Sequence, residues 1–389
     1  MDEIRNPFAP GAGSPPPELA GRESIIAEAR IALQRVYQNR PAKHRILLGL
    51  RGVGKTVLLN EVRGLAEEYD HVVSFIEAPE DARLVSQLYP RLHQALRAFS
   101  MTESAKEAVH NSFRILRSFA SVFKVKVGDV SIAVDPMKGV ADSGNLEFDL
   151  SDLFVSVGEA AKSAGRAWTL FIDEVQYLKK RELAALITAL HATNQKGLPV
   201  LFYGAGLPQI AGMSGEAKSY AERLFDFPKI DRLPADAAYE AIRIPIQDEG
   251  EAIEPEAIQK IVSITKGYPF FLQEWGFQCW NVTNESPIDV DDVDKATVEA
   301  FRRLDESFFA VRYDRLTPKE KEYVVAMATL GRGPYKSSDI ANVLGVDLRT
   351  LGPTRSRIIT KGMIYSPTYG DIDFTVPMFD DFLRRTKKP

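Results

Sequence analysis

Apolar residues recur along the chain with two periods, and the change of period marks its elements. Ile25, Ile26, Ala29, Leu33 and Val36 follow helical spacing and predict an amphipathic helix over Glu23–Val36. A short apolar run from Arg45 to Gly49 reads as a buried strand, Val57–Tyr69 as a helix and His71–Ile76 as a second strand. Leu84–Phe99 and Glu107–Val122 read as helices. Lys124–Val134 alternates, with Gly128-Asp129 at its middle, and predicts a β-hairpin. Leu150–Gly165 is helical again. Trp168–Glu174 reads as a buried strand ending in two carboxylates, Asp173 and Glu174. Arg181–Gln195 is a helix and Pro199–Gly204 a further buried strand. Strands alternating with helices predict an α/β fold with a parallel, doubly wound sheet. Beyond Pro234 the strand period disappears: Ala235–Ile246, Glu254–Lys266 and Phe270–Val282 predict a helical domain. Helices over Pro318–Leu330, Ser337–Leu344 and Leu348–Lys361 precede two strand-like pieces, Met363–Ser366 and Asp371–Val376. The expected division is an extended Pro/Gly-rich segment 1–18, an α/β core 19–233 with an insertion around 100–148, a helical lid 234–300 and a C-terminal module 301–389.

Composition narrows the class. With 389 residues, 45% of them hydrophobic and 26% charged, the chain can build at least one large core. Its one cysteine, Cys279, excludes an internal disulfide framework and a four-cysteine zinc site. The least polar stretch, Leu198–Met213, is interrupted by Gly204, Gly206, Pro208 and Gln209, so no membrane span is expected. No apolar run of signal-peptide length opens the chain, and the expectation is a cytoplasmic protein. The net charge is −4, but it is uneven. Residues 311–389 carry 14 Lys and Arg against nine Asp and Glu, a balance of +5 on an otherwise acidic body.

The strongest chemical signal is Gly49-Leu50-Arg51-Gly52-Val53-Gly54-Lys55-Thr56, followed by Val57, set between a predicted strand and a predicted helix. The glycines let backbone N–H groups turn toward phosphate oxygens, and the helix N-terminus adds positive potential. Lys55 brings a cation to the β- and γ-phosphates of ATP. The Thr56 hydroxyl ligates Mg²⁺. Asp173 would hold the same ion through water, and Glu174 would orient or deprotonate the attacking water, because strand C-termini in such sheets face the ligand crevice.

With these residues the chain resembles the AAA+ ATPases, in particular their STAND-like and replication-initiator-like branches, over about Pro17 to Val282. Leu19-Ala-Gly21-Arg22-Glu23 resembles the motif that lies near the adenine in these families, which implies a nucleotide contact for Arg22. Asp173-Glu174-Val-Gln176 resembles their Walker B strand. Gly267-Tyr268-Pro269 resembles the lid motif whose proline approaches the base; the alternative is a helix stop with Pro269 opening the next helix. Arg223 lies where the resemblance implies an arginine finger, and with it an ATP-dependent homo-oligomer. Two departures imply slow turnover. Gly204-Ala205-Gly206 stands where a polar sensor residue is usual, and Phe270, Phe271 and Leu272 stand where a lid arginine is expected.

The C-terminal module resembles a winged helix, with Gly345 at the turn of a helix-turn-helix and Tyr365–Asp371 as the wing tip. Arg349, Thr354, Arg355, Arg357 and Lys361 would then face DNA. Gly352-Pro353 interrupts the second helix pattern and allows a later start at Pro353. The leading functional expectation is a slow ATP-driven switch acting on DNA. The alternative is a STAND-type signalling ATPase whose winged helix binds protein, with slow or no hydrolysis.

Overall fold

The structure, a computed structural model, describes residues 1–11, 19–78, 83–125, 134–368 and 370–387. The hairpin expected over Lys124–Val134 lies mostly outside the described residues, as does Tyr369 of the expected wing tip. The chain forms two compact units. One comprises 22–49 and 55–229. The other comprises 1–21, 50–54 and 230–389.

The first unit is α/β. Its elements are α1 (Glu23–Tyr37), β1 (His44–Leu48), α2 (Lys55–Glu68), β2 (His71–Glu77), α3 (Leu84–Phe99), α4 (Lys106–Val122), α5 (Leu146–Ser163), β3 (Ala167–Asp173), α6 (Lys180–Gln195), β4 (Val200–Gly206), α7 (Ile210–Ala217), α8 (Ala221–Leu224) and β5 (Phe225–Asp226). The five strands are all parallel, in the order β2-β3-β4-β1-β5. Every residue of β3 and β4 is buried, which is why neither shows the apolar/polar alternation of a half-buried strand. Thr169 on β3 is matched by the imidazole of His71 on β2 (2.7 Å), whose other nitrogen meets the Leu33 carbonyl of α1 (3.1 Å). Burial pushes the His71 imidazole down to about 4, so it holds these bonds uncharged at neutral pH. The register sets the functional edge. Glu77 pairs with Asp173, Ile172 with Gly204, and Leu48 with Gly206, so the carboxyl ends of β1, β3 and β4 lie side by side.

The second unit is mostly helical. It contains α9 (Ala235–Asp248), α10 (Pro255–Thr265), α11 (Pro269–Val282), α12 (Val290–Arg303), a π-helical turn (Leu304–Phe309), α13 (Ala310–Asp314), α14 (Pro318–Thr329), β6 (Tyr335–Lys336), α15 (Ser337–Leu344), α16 (Leu348–Thr360), β7 (Ile364–Tyr365), β8 (Asp371–Phe374) and α17 (Phe379–Thr386). The strands form a small antiparallel sheet, β6-β8-β7. A single apolar cluster runs from Phe8 through Trp275 and Trp280 to Leu383, so these helices share one core. Phe271, Trp275 and Trp280 are all buried in it, as packing residues. The N-terminal stretch takes part. The Trp280 indole donates to the Asp2 carbonyl (2.8 Å), Asn6 bonds to Phe277 and Asn281, and the Phe8 ring fills the space beside Gly276. A side chain at 276 would begin 2.6 Å from that ring, which explains a glycine inside α11.

The second C-terminal helix begins at Leu348, not at Pro353. Asp347 caps it by accepting from the Arg349 N–H (2.8 Å), and Pro353 is carried inside. The backbone bond that Pro353 forfeits is one bond near an exposed end, which the cap offsets.

Glu320 is a buried anchor of this unit. It closes a capping box with Thr317 at the start of α14 and pairs with Arg357 (3.6 Å) on α16 and with Lys361 (2.7 Å), the residue that follows α16. Burial alone would raise its carboxyl; the bonds from Lys361 and Thr317 outweigh that and hold it below the usual range. Its stabilising contribution is therefore complete above the ordinary carboxylate range and is lost as pH falls through the lowered value. Glu320→Ala removes the cap and strands Lys361, and is expected to cost about 2 kcal/mol. Thermal melts should show the loss at pH 7 and a smaller difference from wild type in acid. Equal melts at pH 7 would deny the anchor.

Candidate functional site

The phosphate-loop sequence falls between β1 and α2, as its motif requires. Gly52 and Gly54 take φ of +85° and +88°, a region that a side chain disfavours. Residues 50–54 pack with the second unit. There the Phe270 N–H, at the start of α11, donates to the Gly52 carbonyl (3.1 Å), and the Arg51 N–H donates to the Thr375 carbonyl (3.1 Å). A side chain at 52 would begin 3.1 Å from the Phe270 Cβ, so Gly52 is fixed by approach as well as by φ. Val53 is buried.

In the first unit, Lys55 and Thr56 open α2. Lys55 is largely buried. The Thr56 hydroxyl donates to Asp173 Oδ2 (2.6 Å). Asp173 ends β3, and its other oxygen accepts the Glu174 N–H (2.7 Å). Burial pushes the Asp173 carboxyl up, while Thr56, the Glu174 N–H and the charge of Lys55 act in the opposite sense. One hydroxyl and one buried carboxylate form an all-oxygen donor pair. It suits a hard cation that takes its remaining ligands from phosphate and water, as Mg²⁺ does. No cluster of three or more His, Cys, Asp or Glu suited to a metal occurs among the described residues.

Glu174 sits in the left-handed region, φ 54° and ψ 40°, between β3 and a 3-10 turn over Val175–Tyr177. That conformation costs a non-glycine residue on the order of 1 kcal/mol and persists only where neighbours impose it. One neighbour is Gln176, whose side-chain N–H donates to Glu174 Oε2. The other end of that amide, Oε1, accepts the Leu207 N–H just past β4 (3.1 Å). Gly206 makes room: a Cβ there would lie 2.8 Å from Gln176 Oε1. The Gly49 N–H in turn donates to the Gly206 carbonyl (3.1 Å), so the end of β4 is hemmed in by the first loop residue and by Gln176.

The other candidates lie on other elements. Arg22 is buried at the N-cap position of α1. Pro269 opens α11 at its first turn, after Gly267 at φ +72°. The Gly267 carbonyl accepts from Leu233, and a Cβ at 267 would lie 2.6 Å from the Leu233 carbonyl oxygen, so glycine is required where α10 gives way to α11. Arg223 is exposed on α8, beside the edge strand β5. On α16, Arg349 is exposed, Arg355 donates to Ser337 (3.1 Å) and Arg357 reaches Thr354 (3.3 Å) and Glu320. Lys361 turns to Glu320 and the Arg315 carbonyl.

Residues 18–203 match the AAA ATPase domain family, which contains the loop, Asp173, Glu174 and Gln176. Over these residues the chain is similar to that family. Residues 306–383 match a family described as a domain of unknown function. Among solved structures, the Walker-type ATPase PABY2304 of Pyrococcus abyssi is similar, with a TM-score of 0.57 and 16% identity over 94% of this chain and 96% of that one. The Orc1 protein of Aeropyrum pernix, solved in complex with DNA, gives a TM-score of 0.49 at 14% identity, over 98% and 96% of the two chains. The RuvB Holliday junction branch migration motor of Thermotoga maritima gives 0.47 at 15%, over 97% and 100%. No curated protein matches the chain. The α/β fold expected from the sequence is present, with a parallel five-stranded sheet, and is shared with the Pyrococcus abyssi ATPase. No helix among the described residues is long and apolar enough to cross a membrane.

Gln176 carried no separate expectation, although it stood in the quoted motif. Its signal was indirect: an amide two residues after a catalytic-type glutamate, with two glycines ending the neighbouring strand.

Proposed function

We propose that the protein is a slow, Mg²⁺-dependent ATPase that uses bound nucleotide as a switch for its C-terminal module. The observation that carries the reading is the Thr56–Asp173 hydrogen bond, which joins the first turn after the phosphate loop to the buried strand end. In this reading the loop N–H groups and Lys55 hold the phosphates, and Thr56 and Asp173 would hold Mg²⁺. The ion, when bound, neutralises charge on the β- and γ-phosphates. Glu174 takes the proton of the attacking water. Slow turnover is supported by the absence of a polar side chain at Gly204-Ala205-Gly206 and by Phe270–Leu272 in place of a lid arginine.

The order α14, β6, α15, α16, β7, β8 supports reading the C-terminal module as a winged helix with α16 as its DNA-facing helix. Arg349, Arg355 and Arg357 are the cations for phosphate: Lys361 is bound by Glu320 at 2.7 Å, whereas Arg357 lies 3.6 Å from the same carboxylate and stays exposed. Three neutralised phosphates give a slope of log K against log salt of about −2.7, and affinity falls about fortyfold from about 50 to about 200 mM salt. The measurement is a salt titration of duplex binding by the full-length protein, with and without ATP and Mg²⁺. Absence of binding at the lowest salt would sink the DNA assignment. A second reading, a protein partner, is favoured by the exposed apolar side chains Val343, Val346 and Leu348 around the turn between α15 and α16.

A further inference from the structure

The end of β4 offers no polar side chain of its own, yet a polar group occupies the space above it. Gln176 reaches there from the turn after β3. Its amide oxygen is fixed by the Leu207 N–H (3.1 Å), and its amide N–H is spent on Glu174 Oε2. The acceptor bond matters for orientation, because it decides which end of the amide faces the glutamate. With Oε1 anchored on the backbone, only the donor end can meet a carboxylate. The bond from Gln176 goes to Glu174 Oε2, not to Oε1. One carboxylate oxygen is thus held, and the other would accept the proton. The backbone of Glu174 is held as well, in the left-handed region, by Asp173 Oδ1. Gly206 is the third member of the arrangement. Its lack of a side chain leaves the cleft into which the Gln176 amide fits.

We propose that Gln176 is a positioning residue for hydrolysis: it aims the Glu174 carboxylate from the end of β4, through a cleft that Gly206 keeps open. The inference rests on the ATPase reading above and adds to it the group that orients the base. Gln176 makes no contact with Lys55, Thr56 or Asp173 in the described hydrogen bonds, so ATP affinity should not depend on it.

The test is a set of four variants, each assayed for ATP affinity by calorimetry and for phosphate release with Mg²⁺. Gln176→Met keeps the size of the side chain and removes both hydrogen bonds. Gln176→Glu keeps the acceptor for Leu207 and loses the donor for Glu174. Both are expected to lower kcat roughly ten- to a hundredfold, the usual cost of a misplaced reacting group, with ATP Kd unchanged. Gly206→Ala should reproduce that loss by displacing the amide. Combining Gly206→Ala with Gln176→Met should cost no more than either alone, which a merely structural role would not produce. Wild-type kcat in the Gln176→Met protein, or a kcat that rises, overturns this inference and leaves the ATPase reading standing. Equal losses of ATP affinity and kcat also overturn it, since they mark a structural defect. A wild type that binds ATP but releases no phosphate overturns both.

Discussion

Replacing Lys55 by alanine is expected to remove measurable ATP binding. Lys55 is the cation that the proposed reading sets on the β- and γ-phosphates, and it lies at the first position of α2, where the helix N-terminus already favours anions. A charge-assisted bond to phosphate in a largely buried setting contributes about 3 kcal/mol, so affinity should drop at least about a hundredfold. The fold should survive, because Lys55 is not a member of the apolar core of its unit. Calorimetry at fixed Mg²⁺ decides the matter: equal affinities in variant and wild type would remove the nucleotide assignment. Asp173 provides the control. In the proposed reading it is the carboxylate that would hold Mg²⁺, so its loss should show only when Mg²⁺ is present.

Glu174→Gln is expected to separate binding from turnover. The substitution keeps size and shape, and a glutamine side chain can still meet Gln176, so the left-handed backbone and its contacts can persist. What disappears is the acceptor for the water proton. Loss of a general base lowers rates roughly a hundred- to ten-thousandfold, and ATP affinity should be unchanged. Single-turnover phosphate release is the measurement. Hydrolysis by the glutamine variant at the wild-type rate would leave Glu174 without a catalytic part.

Much of the site was legible because its chemistry is local. Eight consecutive residues hold the phosphate-loop pattern, and the requirements for glycine at 52 and 54, for a cation and for a hydroxyl arise within one turn of chain. The buried strand ending at Asp173 was equally plain, since seven successive buried positions leave no room for alternation. Helix bounds such as Leu84–Phe99 and Ser337–Leu344 came directly from apolar spacing. Where proline and glycine interrupted that spacing, at Gly352-Pro353, the reading offered a later start. The capped helix overrode the local penalty.

The remainder depended on partners far apart in the chain. Glu320 and Lys361 are 41 residues apart, and neither residue type announces an internal ion pair when it stands on an amphipathic helix. Phe8 looked like part of a proline-rich leader and is instead buried against Gly276. The strand order puts β4 between β3 and β1, and only that neighbourhood gives Gln176 a backbone N–H to hold and a glycine cleft to occupy. By itself, then, the sequence determined the α/β alternation, the phosphate loop and the two carboxylates, because each is written in contiguous residues with their own conformational demands. The tertiary structure decided which oxygen of Glu174 is held, which cations of α16 are engaged and which segments join one core, because each of these is a distance between residues that the chain separates.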